Sequence, residues 1–245
     1  MKERSLFKLL YILLIPILFG CEGSTGPEGP ALKGSIAGFV IPVSADGEFV
    51  GDKSGIAVTI EGTSQTTTTK SDGSFIFSGI SSGVYTLVYA KAGFGLSKTV
   101  AYQYIGGGTS FIGTVYICEP PTFTVSELSF GTSATSIKIT LSEPFSTSKR
   151  IQFFVSPTST VSKDPKNYSY STGWIATYPT GTSNFTISVT SFRDAGISSG
   201  NEAFFIAYPA TDGTKISGYT DLETGRFVYT NLNNTPSNVY RIVAP

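Results

Sequence analysis

The chain predicts an all-β protein, two antiparallel β-sandwich domains in tandem, and three observations carry that expectation. Charged residues make up 14% and aromatics 13% of the 245, a balance that suits half-buried strands better than amphipathic helices. Apolar residues alternate with small or polar ones over short runs, the period of a strand with one face in a core. Turn clusters built on 27 glycines separate those runs at short intervals.

The N-terminal segment stands apart from this pattern. Lys2, Arg4 and Lys8 lead into an apolar run from Leu9 to Phe19. A bilayer takes about 20 apolar residues, so this shorter run is expected to belong to a secretory signal over residues 1–20. It ends in Leu18-Phe19-Gly20-Cys21. That stretch resembles the lipobox of bacterial lipoproteins. The resemblance implies cleavage before Cys21, acylation of Cys21 (palmitate among the chains), and a lipid anchor in the outer membrane, with the leaflet open. A plain signal with an incidental cysteine is the alternative. Residues 21–32, rich in Gly and Pro, read as a flexible tether, and their glycine triplets are too few for a collagen helix. With Cys21 acylated, the second of the two cysteines, Cys118, has no disulfide partner. It closes the apolar run Val115–Ile117 and is expected to be buried.

From residue 33 onward strands are expected. Ile56, Val58 and Ile60 alternate, as do Phe75 and Phe77, then Tyr85, Leu87 and Tyr89. Thr66–Thr69 is a β-branched run, and Asp72-Gly73 after it is the dipeptide of a tight hairpin turn. The segments Gly55–Ile60, Thr69–Phe75, Gly83–Leu87 and Lys91–Phe94 resemble, in order and spacing, the carboxypeptidase regulatory-like domain. This resemblance implies a seven-stranded transthyretin-like (prealbumin-like) sandwich over 33–118.

Glu119-Pro120-Pro121 marks a break, and alternation resumes at Ile137, Ile139 and Leu141, at Ile151, Phe153 and Val155, at Phe185, Ile187 and Val189, and at Phe204, Ile206 and Tyr208. A last run covers Val239–Val243. Phe204-x-Ile206-x-Tyr208-x-Ala210 resembles strand F of a fibronectin type III domain, and Thr186–Phe192 resembles its strand E. The resemblance implies an Ig-like sandwich over 119–245, with surplus chain at about 156–183 and 211–238.

The pentapeptide GISSG occurs at Gly79–Gly83 and again at Gly196–Gly200, and both copies fit the G-x-S-x-G pattern of a nucleophilic serine. Such a serine needs a base, usually histidine, and the chain has none. Neither copy sits between a strand and a helix in this reading, so both are expected to be turns and the protein non-catalytic. Zinc and iron lack nitrogen and sulfur ligands here, and no metal site or cofactor is expected. Asp46, Glu48 and Asp52 lack the spacing of a calcium loop and read as a solvated turn. Gly106-Gly107-Gly108 reads as a strand-to-strand loop rather than a phosphate cradle. Basic and acidic residues number 17 each, and without the first twenty residues the balance is 14 to 16, which offers nothing to nucleic acid.

One segment could hold a ligand. Tyr168, Tyr170, Trp174 and Tyr178 share parity, so on one continuous strand they face the same way, either into a core or outward as a platform for sugar rings. The functional expectation is a lipid-anchored envelope module with a protein or glycan partner. A spacer that positions other envelope proteins is the alternative.

Overall fold

Lys33–Val43 alternates inward Ile36, Gly38 and Val40 with outward Ala37, Phe39 and Ile41, and this first strand, β1, organises the first sandwich in the computed structural model. The structure describes residues 31–131, 135–145, 147–176, 182–212 and 215–245. Cys21, most of the tether and Tyr178 lie outside them, as does the side chain of Trp174. One sheet runs β4 (Ser74–Ser81), β1, β7 (Thr109–Cys118). The facing sheet runs β3 (Thr66–Thr68), β2 (Ala57–Ile60), β5 (Gly83–Ala90), β6 (Ser97–Tyr104). Ile36, Val40, Ile56, Val58, Ile60, Phe75, Phe77, Leu87 and Tyr89 fill the space between them. The ladders are antiparallel except β1 with β7, which run parallel as the first and last strands of the sandwich.

Two glycine sites behave differently from a simple hairpin reading. At Asp72-Gly73 the Asp72 carboxylate accepts the Ser74 amide at 2.9 Å and Gly73 takes φ +88°, so the turn is tight as expected. Its flanking strands nevertheless belong to different sheets, because Thr69 is buried and its hydroxyl donates to the Lys53 carbonyl at 2.6 Å, holding the end of β3 away from β4. Gly79, at φ +73°, is the extra residue of a bulge: Gly34 pairs with Ile80 and Ser35 with Ser78. The first GISSG thus bends β4 so that the chain can cross to β5 on the other sheet.

The second sandwich pairs a three-stranded sheet, β12 (Thr182–Thr186), β9 (Ser136–Leu141), β8 (Val125–Phe130), with a four-stranded one, β11 (Tyr170–Ala176), β10 (Lys149–Ser156), β13 (Glu202–Ala210), β16 (Tyr240–Val243). Its core takes Ile137, Ile139, Ile151, Phe153, Val155, Phe205 and their neighbours. The expected strand over Thr186–Phe192 is corrected: β12 ends at Thr186 and a short helix, α1 (Val189–Asp194), follows. Ser188 caps it, its hydroxyl accepting the Thr190 amide at 3.1 Å. Helical spacing turns Phe192 inward against the Phe205 ring, 5.7 Å away, and leaves Val189 exposed.

Strand β13 is covered on both sides. Ala203, Phe205 and Ala207 face the core, while Ile206, Tyr208 and Ala210 join Phe154, Val161, Tyr168 and Leu232 in a second cluster on the outer face. The surplus chain supplies that cover, including the hairpin of β14 (Gly218–Thr220) and β15 (Phe227–Tyr229). The same hairpin is strapped to the first sandwich. Ser97 Oγ donates to Gly218 O at 2.9 Å, Ser217 Oγ to Gly95 O at 3.1 Å, and Thr230 Oγ1 to Leu96 O. Elsewhere along the junction Lys149 Nζ bridges Asp46 at 3.0 Å and Asp212 at 2.9 Å. Burial pulls this ammonium's pKa down, but the hydrogen bonds to Asp212 and Asp46 outweigh it and the net direction is upward. Asp46, read from sequence as part of a solvated turn, is thereby one arm of the joint.

Candidate functional site

The outer face of the second sandwich carries a cleft of about 540 Å³, within the range of roughly 300 to 1,000 Å³ typical of small-ligand sites. One wall is the 162–165 segment between β10 and β11, with Lys163 and Asp164. The other is the β14–β15 hairpin, where Tyr219 and Val228 form a cross-strand pair and Asp221 begins the turn. Tyr208 and Tyr229 also line the cleft. The walls are tied together outside the opening: Arg226 donates to the Pro165 carbonyl at 2.7 Å, and Lys166 pairs with Glu223 at 2.7 Å.

Local chemistry places each polar group. Asp221 Oδ2 accepts the Thr224 amide at 2.8 Å and the Thr224 hydroxyl at 2.7 Å, closing the hairpin turn. These two bonds hold its carboxyl below the usual aspartate value of 3.8, so it remains an ionised acceptor. Lys163 Nζ donates to Asn234 Oδ1 at 2.7 Å and stands 5.6 Å from the centre of the Tyr208 ring. Burial lowers the Lys163 pKa from the ordinary 10.5. Tyr219 is half-buried, and Lys98 of β6, itself paired with Glu61 at 2.5 Å, stands 5.0 Å from its ring centre. The first sandwich therefore helps to set a ring that lines a cleft in the second.

The residues singled out in the sequence fall elsewhere. Tyr168 and Tyr170 do not share a face: Tyr168 packs in the outer cluster and Tyr170 against the main core. Alternation holds only within the ladder, and β11 begins at Tyr170, after the chain has turned through Asp164–Asn167. Tyr168 is 4% exposed, its hydroxyl donates to the Phe227 carbonyl at 2.7 Å, and burial pushes its pKa to about 12. It supports the hairpin from beneath rather than presenting a ring to a ligand. Trp174 pairs through its backbone with Ile151, and its side chain, like Tyr178, lies outside the described residues.

Of the two GISSG copies, Ser81 lends its carbonyl to the Tyr85 hydroxyl at 2.9 Å, and Ser198 and Ser199 are exposed after α1. Among the described residues no group of three or more His, Cys, Asp or Glu is placed to hold a metal ion. The cleft residues Lys163, Asp164, Tyr219 and Asp221 were missed in the sequence because they sit in the surplus segments, where no long alternation points to them. The one usable signal was Asp221-x-x-Thr224-Gly225 between Tyr219 and Phe227, a turn between two short aromatic-bearing runs.

No family model matches the chain, and no curated protein does. Solved structures show looser likeness. A DUF3823 family protein from Bacteroides ovatus ATCC 8483 is 17% identical over 87% of this chain and 100% of that one, with a TM-score of 0.29. A protein from Bacteroides uniformis ATCC 8492, named as a candidate carbohydrate-binding protein, is 15% identical over 86% of this chain and 99% of that one, with a TM-score of 0.28. A type II cohesin–X-dockerin complex from Acetivibrio cellulolyticus matches 34% of this chain at 21% identity and a TM-score of 0.29, and the match spans only 56% of that chain. At superpositions this loose, the functional reading rests on the chain's own geometry.

Proposed function

We propose that this is a non-catalytic, lipid-anchored envelope protein that binds a neutral glycan in the cleft of its second sandwich. The carrying observation is the cleft's mixed lining: a half-buried tyrosine ring at Tyr219, an ammonium at Lys163, and carboxylates at Asp164 and Asp221. A sugar ring offers an apolar C–H face to an aromatic and hydroxyls to charged acceptors and donors, so this set suits it without requiring net charge on the ligand. Asp221, held ionised by its bonds to Thr224, is not the proton donor that a glycosidic leaving group needs. With no histidine in the chain, a serine at either GISSG lacks its usual base as well.

Screening neutral oligosaccharides on an array, followed by calorimetry on the hits, tests the proposal. Binding in the micromolar to millimolar range is expected, weakened about tenfold or more by Tyr219→Ala and retained in Tyr219→Phe. Absence of any hit, or hits indifferent to Tyr219→Ala, overturns the cleft reading. The interlocked junction between the sandwiches favours a second reading, a rigid spacer for other envelope proteins, and a clean negative on the array leaves that one standing.

A further inference from the structure

One pole of the first sandwich exposes three large apolar side chains that come from separate segments: Leu32 at 62%, Val84 at 66% and Ile105 at 77%. The fold brings them together. The Leu32 carbonyl accepts the Ser82 amide at 2.9 Å, and Gly83 pairs with Tyr104 across β5 and β6, which sets Val84 and Ile105 next to that pair. Gly106 approaches Leu32 so closely that any side chain at 106 would collide with it. Across residues 31–34, 80–84 and 103–109 the single charged residue is Lys33, which is exposed.

Isolated exposed aliphatics are ordinary, but three converging at one pole without a carboxylate form a patch. Three side chains supply on the order of a few hundred Å², short of the roughly 800 Å² per partner of a specific protein interface. Such a patch is useful only against a surface already held nearby. Residues 22–32, rich in Gly and Pro, link Cys21 to this pole, and covalent geometry limits them to at most about 40 Å. A lipid surface reached through that tether is present at high effective concentration, and it accepts aliphatic side chains beside a lysine.

We propose that this pole docks on the bilayer in which Cys21 is anchored, with Leu32, Val84 and Ile105 entering the headgroup boundary. The inference rests on the lipid-anchor reading. Strand β6 starts at Ser97, beside the second sandwich, and ends at Tyr104, at the pole. Docking therefore holds the start of the second sandwich about 25 Å above the lipid, at roughly 3.3 Å per strand residue.

The test uses the full acylated chain in vesicles of phosphatidylethanolamine and phosphatidylglycerol, with acylation at Cys21 checked first by mass spectrometry. An environment-sensitive fluorophore is attached at Ile105→Cys, and in a second protein at Leu222→Cys, an exposed site in the β14–β15 turn. At position 105 a blue shift and about twofold quenching by headgroup-proximal nitroxide lipids are expected, at 222 neither, and Leu32→Ser with Val84→Ser should abolish the effect at 105. A water-like, unquenched probe at 105 on verified acylated protein overturns the proposal. So does equal shielding of that probe on Cys21→Ser protein free of lipid and detergent at high protein concentration, which would assign the patch to a second copy. If Cys21 carries no lipid, the anchor reading fails separately. The same measurement then proceeds with the signal and Cys21 replaced by a histidine tag bound to a nickel-chelating lipid, with the same two outcomes deciding.

Discussion

Cys118 shows what burial does to a reactive group. It ends β7 with no exposed surface, its thiol points at the Lys215 carbonyl 3.8 Å away, and burial pushes its pKa up to about 12. Only the thiolate is a good nucleophile, so at pH 8 the reactive fraction is on the order of one part in ten thousand. Native protein carrying Cys21→Ser is expected to give no colour with a disulfide reagent at pH 8, and one equivalent after denaturation. Rapid labelling of the folded protein would contradict the burial. The same kind of reasoning separates the two sequence-marked tyrosines: identical in parity, Tyr168 and Tyr170 end on opposite faces because the ladder that enforces alternation begins between them.

At the level of elements, short alternating runs became strands almost wherever they occur, since one apolar face per strand is all a sandwich core demands. The exception was Thr186–Phe192. There the alternation of Phe185, Ile187 and Val189 competed with Ser188 as a helix cap, and the cap prevailed because α1 delivers Phe192 to the same core. The β14–β15 hairpin had no such local signature beyond its turn, and it is held by contacts with distant chain. Gly95 sits against the Thr230 carbonyl with no room for a methyl group. Gly95→Ala is therefore expected to push the hairpin from β6, costing about 1–3 kcal/mol and weakening glycan binding although residue 95 lies outside the cleft. Gly51→Ala, facing open space, should change neither. Chemical denaturation and calorimetric titration of the two variants provide the check.

As a whole molecule, Leu32–Pro245 is one unit, because the hairpin straps, the Lys149 bridge between Asp46 and Asp212, and the Asp212 amide donating to Ala45 O at 3.1 Å all cross the junction between the sandwiches. Scanning calorimetry should accordingly give one transition whose calorimetric and van't Hoff enthalpies agree. Gly95→Ala combined with Lys149→Ala should split it in two. Two separate transitions in the unaltered protein would show the junction to be energetically silent. The first GISSG, expected as a turn, instead runs through the end of β4 as a bulge. The sequence by itself determined the class of fold and the position of most strands. Each of these depends on neighbours a few residues apart, and period-two alternation and glycine placement record them directly. The tertiary structure alone decided which outer face the surplus chain covers, how Lys163, Asp164, Tyr219 and Asp221 converge, and how the sandwiches lock together. Those arrangements depend on segments up to well over a hundred residues apart meeting in space, as Leu96 meets Thr230, and no local pattern encodes such a meeting.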